Sequence, residues 1–264
     1  MKTINTLVND VYNMMHTQEY EGDLQKIADT VGKEVSESIV TALTPREKQT
    51  GLRMSGIGRC ERAQWYQYKG YEGEEIEGRV YLTFLTGHVM ESVVLGLAEL
   101  AGHKVTNKQE KHTIEEINGS QDCCIDGELV DVKTASKYSF ETKFKDEGIK
   151  DDMFGYIKQL SAYGKSNNKE TGYFLALNKN NSELKLCKQE LEKDIDTYII
   201  DLKKKMESDT PPMRVANAYT KSGALKMQCA FCGYKDVCYD NSLRKVVSSN
   251  GFTNYYYDVD KGNF

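Results

Sequence analysis

The chain has no uninterrupted apolar run approaching the ~20 residues that a membrane span requires, and its first residues, MKTINTLVNDVYNMMH, lack the layout of a signal peptide. Proline is scarce, at three residues, and neither an internal repeat nor a low-complexity tract is present. These absences argue against membrane-embedded and secreted classes and lead to the expectation of a cytoplasmic protein with no membrane partner. What remains is 264 residues, 39% hydrophobic and 28% charged, enough for one large domain or a domain with an appended lobe. A reducing compartment also changes the meaning of the seven cysteines. They read as ligands, nucleophiles or core residues rather than as disulfide partners.

A net charge of −5 argues weakly against nucleic acid, but it averages over opposed segments. Residues 1–44 are net −4, residues 45–71 net +4, and Lys203 to Lys235 net +5. A phosphate backbone responds to a local patch rather than to the total. Solvated surface is the plainer meaning of such runs.

Apolar periodicity gives two helices in the first ~40 residues, separated near Gly22. Thr44-Pro45 marks a break. Ser55 is expected to cap a helix running through Cys60 to about Tyr68, and an apolar helix is expected from about Arg79 to Ala101. Residues 103–134 then alternate, with turn signals at Asn118-Gly119 and Asp126-Gly127, as in a meander of strands. Further expected elements are a helix at 153–164, strands at 171–178 and 183–189, a helix at 190–208, a cysteine-bearing lobe and an aromatic tail, Tyr255–Tyr257. This order is α/β with a mixed sheet.

The most informative segment is QDCCIDGELVDVKTAS, residues 121–136. A two-residue Asp126-Gly127 turn places Ile125 opposite Glu128, Cys124 opposite Leu129, Cys123 opposite Val130 and Asp122 opposite Asp131. Opposed residues bring their Cβ atoms to ~5 Å on one face, and Lys133, two residues on, shares it. Two facing carboxylates repel unless a cation sits between them, and Mg²⁺ favours one or two carboxylates plus waters and substrate oxygens. A neighbouring lysine could stabilise charge developing on a phosphate. The plainer reading is a solvated hairpin with a fortuitous Asp pair.

These residues resemble the PD-(D/E)XK nuclease superfamily, with Asp122 as the first acid and Asp131-Val132-Lys133 as the D-x-K element. The resemblance implies Mg²⁺ or Mn²⁺ held by Asp122, Asp131 and the Val132 carbonyl, with Lys133 assisting the nucleophile. Two flanking elements are similar to the RecB-like branch. Thr86-Gly87-His88-Val89-Met90-Glu91 matches its glycine-bearing helix and implies Glu91 as a further ligand, with His88 one turn away on the surface. Gln159-Leu160-Ser161-Ala162-Tyr163 matches its Gln-x-x-x-Tyr helix, implying that Gln159 supports the lysine and Tyr163 contacts the strand, with Tyr156 near the same face.

Cys229-Ala-Phe-Cys232-Gly-Tyr-Lys-Asp-Val-Cys238 puts three thiols in ten residues, a spacing that suits metal better than core packing. A fourth ligand is needed, and MSGIGRCERAQWYQYKG around Cys60 resembles the N-terminal segment of iron–sulfur RecB-like nucleases. In that group one N-terminal and three C-terminal cysteines hold a 4Fe–4S cluster that staples the chain ends around the nuclease. Zn²⁺ is the competing occupant, since four thiolates suit both. Cys123, Cys124 and Cys187 are expected to be buried core thiols.

The expectation is therefore an α/β restriction-endonuclease-like core, a mixed central sheet flanked by helices, plus a Cys-ligated iron–sulfur lobe. Residues 1–50 would form a helical segment, 51–245 the core with its lobe made by 55–70 and 225–240, and 246–264 a tail. The implied activity is Mg²⁺- or Mn²⁺-dependent exonucleolytic cleavage of single-stranded DNA or DNA ends, in a bacterial or phage-infected cytoplasm, with protein partners in replication, recombination or repair. Arg59, Arg62 and Lys203–Lys205 would line the DNA path. The alternative is a non-catalytic module that binds DNA or a partner and keeps a structural Cys₄ site.

Overall fold

The computed structural model describes residues 2–45, 50–216, 218–249 and 253–257, so parts of the first basic stretch and of the tail lie outside the described residues. Helices α1 (Leu7–Thr17) and α2 (Leu24–Leu43) come first, the second capped by Asp23, whose carboxylate accepts from Lys26 N. Then follow α3 (Glu61–Tyr68) and the long α4 (Gly78–Leu100). The strands β1 (Val105–Thr106), β2 (Lys111–Ile114), β3 (Ile117–Ser120), β4 (Cys123–Ile125) and β5 (Glu128–Ala135) form the meander. A crossover follows, built of α5 (Lys137–Thr142), the small hairpin β6 (Phe144–Lys145) and β7 (Gly148–Ile149), and α6 (Tyr156–Ser166). The chain continues with β8 (Thr171–Asn178), β9 (Leu184–Glu190), α7 (Ile195–Glu207), the single turns α8 (Met227–Ala230) and α9 (Lys235–Cys238), and the hairpin β10 (Arg244–Val247) and β11 (Thr253–Tyr256).

The central sheet runs β1-β4-β5-β8-β9, and only the β5–β8 pair is parallel. It is a mixed sheet flanked by helices, as expected. Side-chain alternation along β5 and β8 divides the interior into two cores. Val130, Val132, Tyr173, Leu175 and Leu177 pack with α1 and α4 on one face. Leu129, Ala135, Phe174 and Ala176 pack with α3, α6 and α7 on the other. Asp131 and Lys133 fall between Leu129 and Ala135, so they are two charged residues on an otherwise apolar, covered face.

Three expectations need correction. The helix near Ser55 begins only at Glu61, because Met54–Gly56 forms a 3-10 turn and Cys60 is the residue before the helix. Asn118-Gly119 is not a turn but part of β3, and the reversal is made at Glu115-Glu116, both in the left-handed region. Gly119 is needed there for close approach, since a Cβ would sit 2.6 Å from Met54 Cβ and 2.7 Å from the Tyr163 hydroxyl. Finally, α4 is long and apolar enough by length and composition to cross a membrane, with a mean hydropathy of 1.4 over its best window, of which 22% is buried. Its C-terminal half packs in the core through Val94, Leu95 and Ala98.

A buried histidine ties α1 to the β4–β5 turn. His103 Nδ1 lies 2.7 Å from Asp126 Oδ2, and its Nε2 lies 3.2 Å from Asp10 Oδ2. Nothing in the periodicity of residues 103–126 marks this contact, because Asp10 is 93 residues away.

Candidate metal centre and cysteine lobe

The hairpin has the expected register: Cys123 opposes Val130, Cys124 opposes Leu129 and Ile125 opposes Glu128. Asp126 and Gly127 both take positive φ, 53° and 83°, as a two-residue I′ turn requires. Asp122 lies one residue before β4, and its Oδ2 accepts a hydrogen bond from Val132 N at 2.8 Å. Asp131 is 2% exposed. Its Oδ2 forms a buried ion pair with Lys133 Nζ at 2.5 Å. From α4, Glu91 reaches the same region, held by Gln109 Nε2 at 2.8 Å, with His88 exposed one turn away.

The electrostatics follow from burial. Loss of solvent pushes the Asp122 carboxyl well above the usual range, and the charges of Asp131 and Glu91 push it further. Burial likewise raises Asp131, against the pull of the Lys133 ammonium. Burial works against the charge on Lys133, but Asp131 and Asp122 outweigh it and hold the ammonium above its ordinary range. Three mutually repelling carboxylates around a single ammonium are short of positive charge. A divalent cation fits that deficit, and Asp122, Asp131 and Glu91 are the residues that could hold it. Among the described residues, no group of three or more His, Cys, Asp or Glu side chains is already gathered into a ready-made metal site.

Tyr156 opens α6, where the Asp152 carboxylate caps the helix by accepting from Tyr156 N at 2.9 Å and Ile157 N at 2.8 Å. The preceding Gly155 (φ 76°) crosses Gly58 at backbone contact, and a Cβ on Gly58 would lie 2.4 Å from Gly155 Cα. This crossing brings Arg59, which is exposed, close enough to act electrostatically on Tyr156. The Tyr156 ring lies under Lys133 Nζ, 4.9 Å from centroid to nitrogen.

Gln159 and Tyr163 lie one turn apart on α6, and Gln159 draws the Tyr163 hydroxyl down against the effect of burial. Tyr163 itself is 2% exposed and its hydroxyl faces Gly119. Its expected contact with a strand is therefore corrected to a supporting role beneath the site, since burial has taken the ring out of solvent. Burial also pushes its hydroxyl up to about 12.

The four cysteines expected to act together line one pocket, with Arg62, Tyr66, Arg214 and Tyr239 among their neighbours. Burial raises the thiols of Cys60 and Cys229, and pushes Cys232 up to about 11. Cys60 and Cys238 add repulsion to both C-terminal thiols, so without a cation these groups keep their protons. The lobe is stitched from both ends of the chain. Glu74 N donates to Gly233 O at 2.7 Å, Arg214 Nη2 donates to Cys238 O at 2.6 Å, and Lys235 pairs with Glu74. Cys123, Cys124 and Cys187 are buried in strands, as expected of core thiols.

Among the described residues of the basic stretches, Arg62 and Lys203–Lys205 have partners within the chain. Arg62 donates to Pro212 O at 2.8 Å and sits 5.5 Å from the Tyr66 ring, so it serves the lobe rather than a surface path. Lys203, Lys204 and Lys205 pair with Glu116, Asp201 and Glu61. Of the expected strand contacts, Arg59 remains exposed beside the site.

No family model matches the chain, and no curated protein matches it. A solved structure described as "Crystal structure of SSO0001" is similar over 80% of this chain and 96% of its own, at 13% identity and a TM-score of 0.45, a likeness too slight to carry an argument.

Proposed function

We propose that the protein is a Mg²⁺- or Mn²⁺-dependent DNA nuclease of the PD-(D/E)XK kind, related to RecB-like enzymes with a restriction-endonuclease-like core. One observation carries the reading. Asp131 and Lys133 interrupt a buried apolar face of the central sheet next to Asp122, where one ammonium faces the mutually repelling carboxylates of Asp122, Asp131 and Glu91. Charges placed there cost stability, and a scaffold that needs them only for folding gains nothing by them.

Asp122, Asp131, Glu91 and the Val132 carbonyl would hold the ion, which when bound supplies an activated water and neutralises charge on the phosphate. Asp122 fixes the Val132 peptide through its N–H. Lys133 stays protonated under the two carboxylates and presents its ammonium to the phosphate oxygens and the attacking oxygen. Gln159, on α6 one turn before Tyr163, supports the lysine from the helix face.

In the same reading Cys60, Cys229, Cys232 and Cys238 hold a 4Fe–4S cluster, with zinc as the alternative occupant; their shared pocket and the stitching of the two chain ends support a staple. The test is release of nucleotides from end-labelled single- and double-stranded DNA with Mg²⁺ or Mn²⁺, beside iron, sulfide and zinc analysis of anaerobically purified protein. Metal-dependent cleavage and about four irons per chain are expected. Failure to cleave any substrate under these conditions removes the nuclease reading, and a colourless protein with one zinc removes the cluster.

A further inference from the structure

Lys133 is the innermost member of a series of rings that leads from the carboxylates to solvent. Its ammonium lies over Tyr156, whose ring is tilted against Phe154 at 5.7 Å between centroids. Phe154 is 38% exposed although it is a large apolar side chain in a short connection. Both rings are fixed from behind. Tyr156 packs on Phe174 of β8, and the buried Lys143 places its ammonium 5.7 Å from the Phe154 centroid. The Gly58–Gly155 crossing and the Asp152 cap set the backbone between them. Exposed Arg59 stands beside Tyr156. An exposed ring, continuous with the lysine and flanked by cations, has the chemistry of a platform for an unpaired base whose phosphate runs past positive charge.

We propose that Phe154, backed by Tyr156, is a binding subsite for an unpaired nucleobase of the nucleotide next to the cut bond, with Arg59 taking the adjoining phosphate. This rests on the nuclease reading and names its substrate class as single-stranded or frayed DNA. A paired base is held in its own stack and cannot lie on the ring, so the subsite selects for strands already open.

The experiment measures Mn²⁺-dependent cleavage of single-stranded oligonucleotides that carry one abasic residue at successive positions, for the parent, Phe154→Ala, Phe154→Leu and Phe154→Trp. Phe154→Ala is expected to lower kcat/KM about tenfold, mainly through KM, in line with the loss of one base–aromatic stack. Phe154→Leu should fail to restore it and Phe154→Trp should succeed. At one abasic position the parent should fall to the level of Phe154→Ala, and the two should then be equal. A parent that cleaves while Phe154→Ala loses nothing, or loses as much at every abasic position as on intact DNA, overturns the subsite and leaves the nuclease reading standing. A parent that cleaves no substrate overturns that reading itself.

Discussion

The carboxylate centre and the cysteine lobe are built in opposite ways. Asp131 and Lys133 lie in β5, held in register against Phe174 and Ala176 of β8, so the sheet holds them whatever they bind. In the lobe α3 meets two single-turn helices, and among the described residues one backbone bond, Glu74 N to Gly233 O, joins residues 60–74 to 214–239. Its four thiols face one pocket, and burial there opposes the ionisation of Cys60, Cys229 and Cys232. In the first region the fold creates an electrostatic deficit that a ligand relieves. In the second a ligand would supply much of the structure, as in other small thiolate-bound modules.

The strongest break of this contrast is Cys232→Ser. Bound metal should be lost, with stability of the lobe falling by several kcal/mol, as structural metal sites contribute on that scale or more. Protease cleavage should concentrate in residues 210–245 while Mn²⁺ binding at the hairpin persists. Equal protease resistance in parent and variant would deny the lobe its dependence on a ligand.

An intermediate effect is expected in chelator-treated protein from Asp122→Asn, whose amide oxygen can still accept from Val132 N. A carboxyl whose folded pKa is raised costs nothing below its unfolded value and its full penalty above its folded value. The parent should therefore lose stability as pH rises from about 4 through the raised range. The variant, whose amide cannot ionise, should flatten that loss and gain about 1 kcal/mol at neutral pH. Denaturant melts at several pH values decide it; parallel curves for the two proteins would contradict the deficit.

The smallest effect belongs to pure scaffold. His103→Gln keeps some polar contact but cannot span both the Asp10 and Asp126 carboxylates, and should cost about 1–2 kcal/mol with cleavage unchanged. A loss of cleavage larger than the loss of folded protein would tie α1 to the chemistry.

The hairpin was legible because one turn fixes every pairing: Asp126-Gly127 sets the register, and the register puts Asp122 and Lys133 beside Asp131. Asn118-Gly119 misled because the same dipeptide serves close packing inside β3, a demand that comes from Met54 and Tyr163, distant in sequence. Tyr163 could not be assigned to core or surface from an i, i+4 spacing, since both partners lie on one helix face in either case. The partners of the basic run Lys203–Lys205 were not legible in the sequence, because Glu116 and Glu61 are more than 80 residues away. Phe154 escaped notice for want of any periodic signal in a connection, and only its stacking on Tyr156 gives it meaning.

Lys133→Met tests the central claim most directly, because it removes the ammonium while leaving the acids and most of the side-chain volume. Calorimetric titration with Mn²⁺ and single-turnover cleavage of end-labelled DNA should be measured on the same preparation. The account predicts retained Mn²⁺ binding with cleavage slowed on the order of 10²-fold or more, the scale of losing one charge-stabilising group. Cleavage at the parental rate would contradict it.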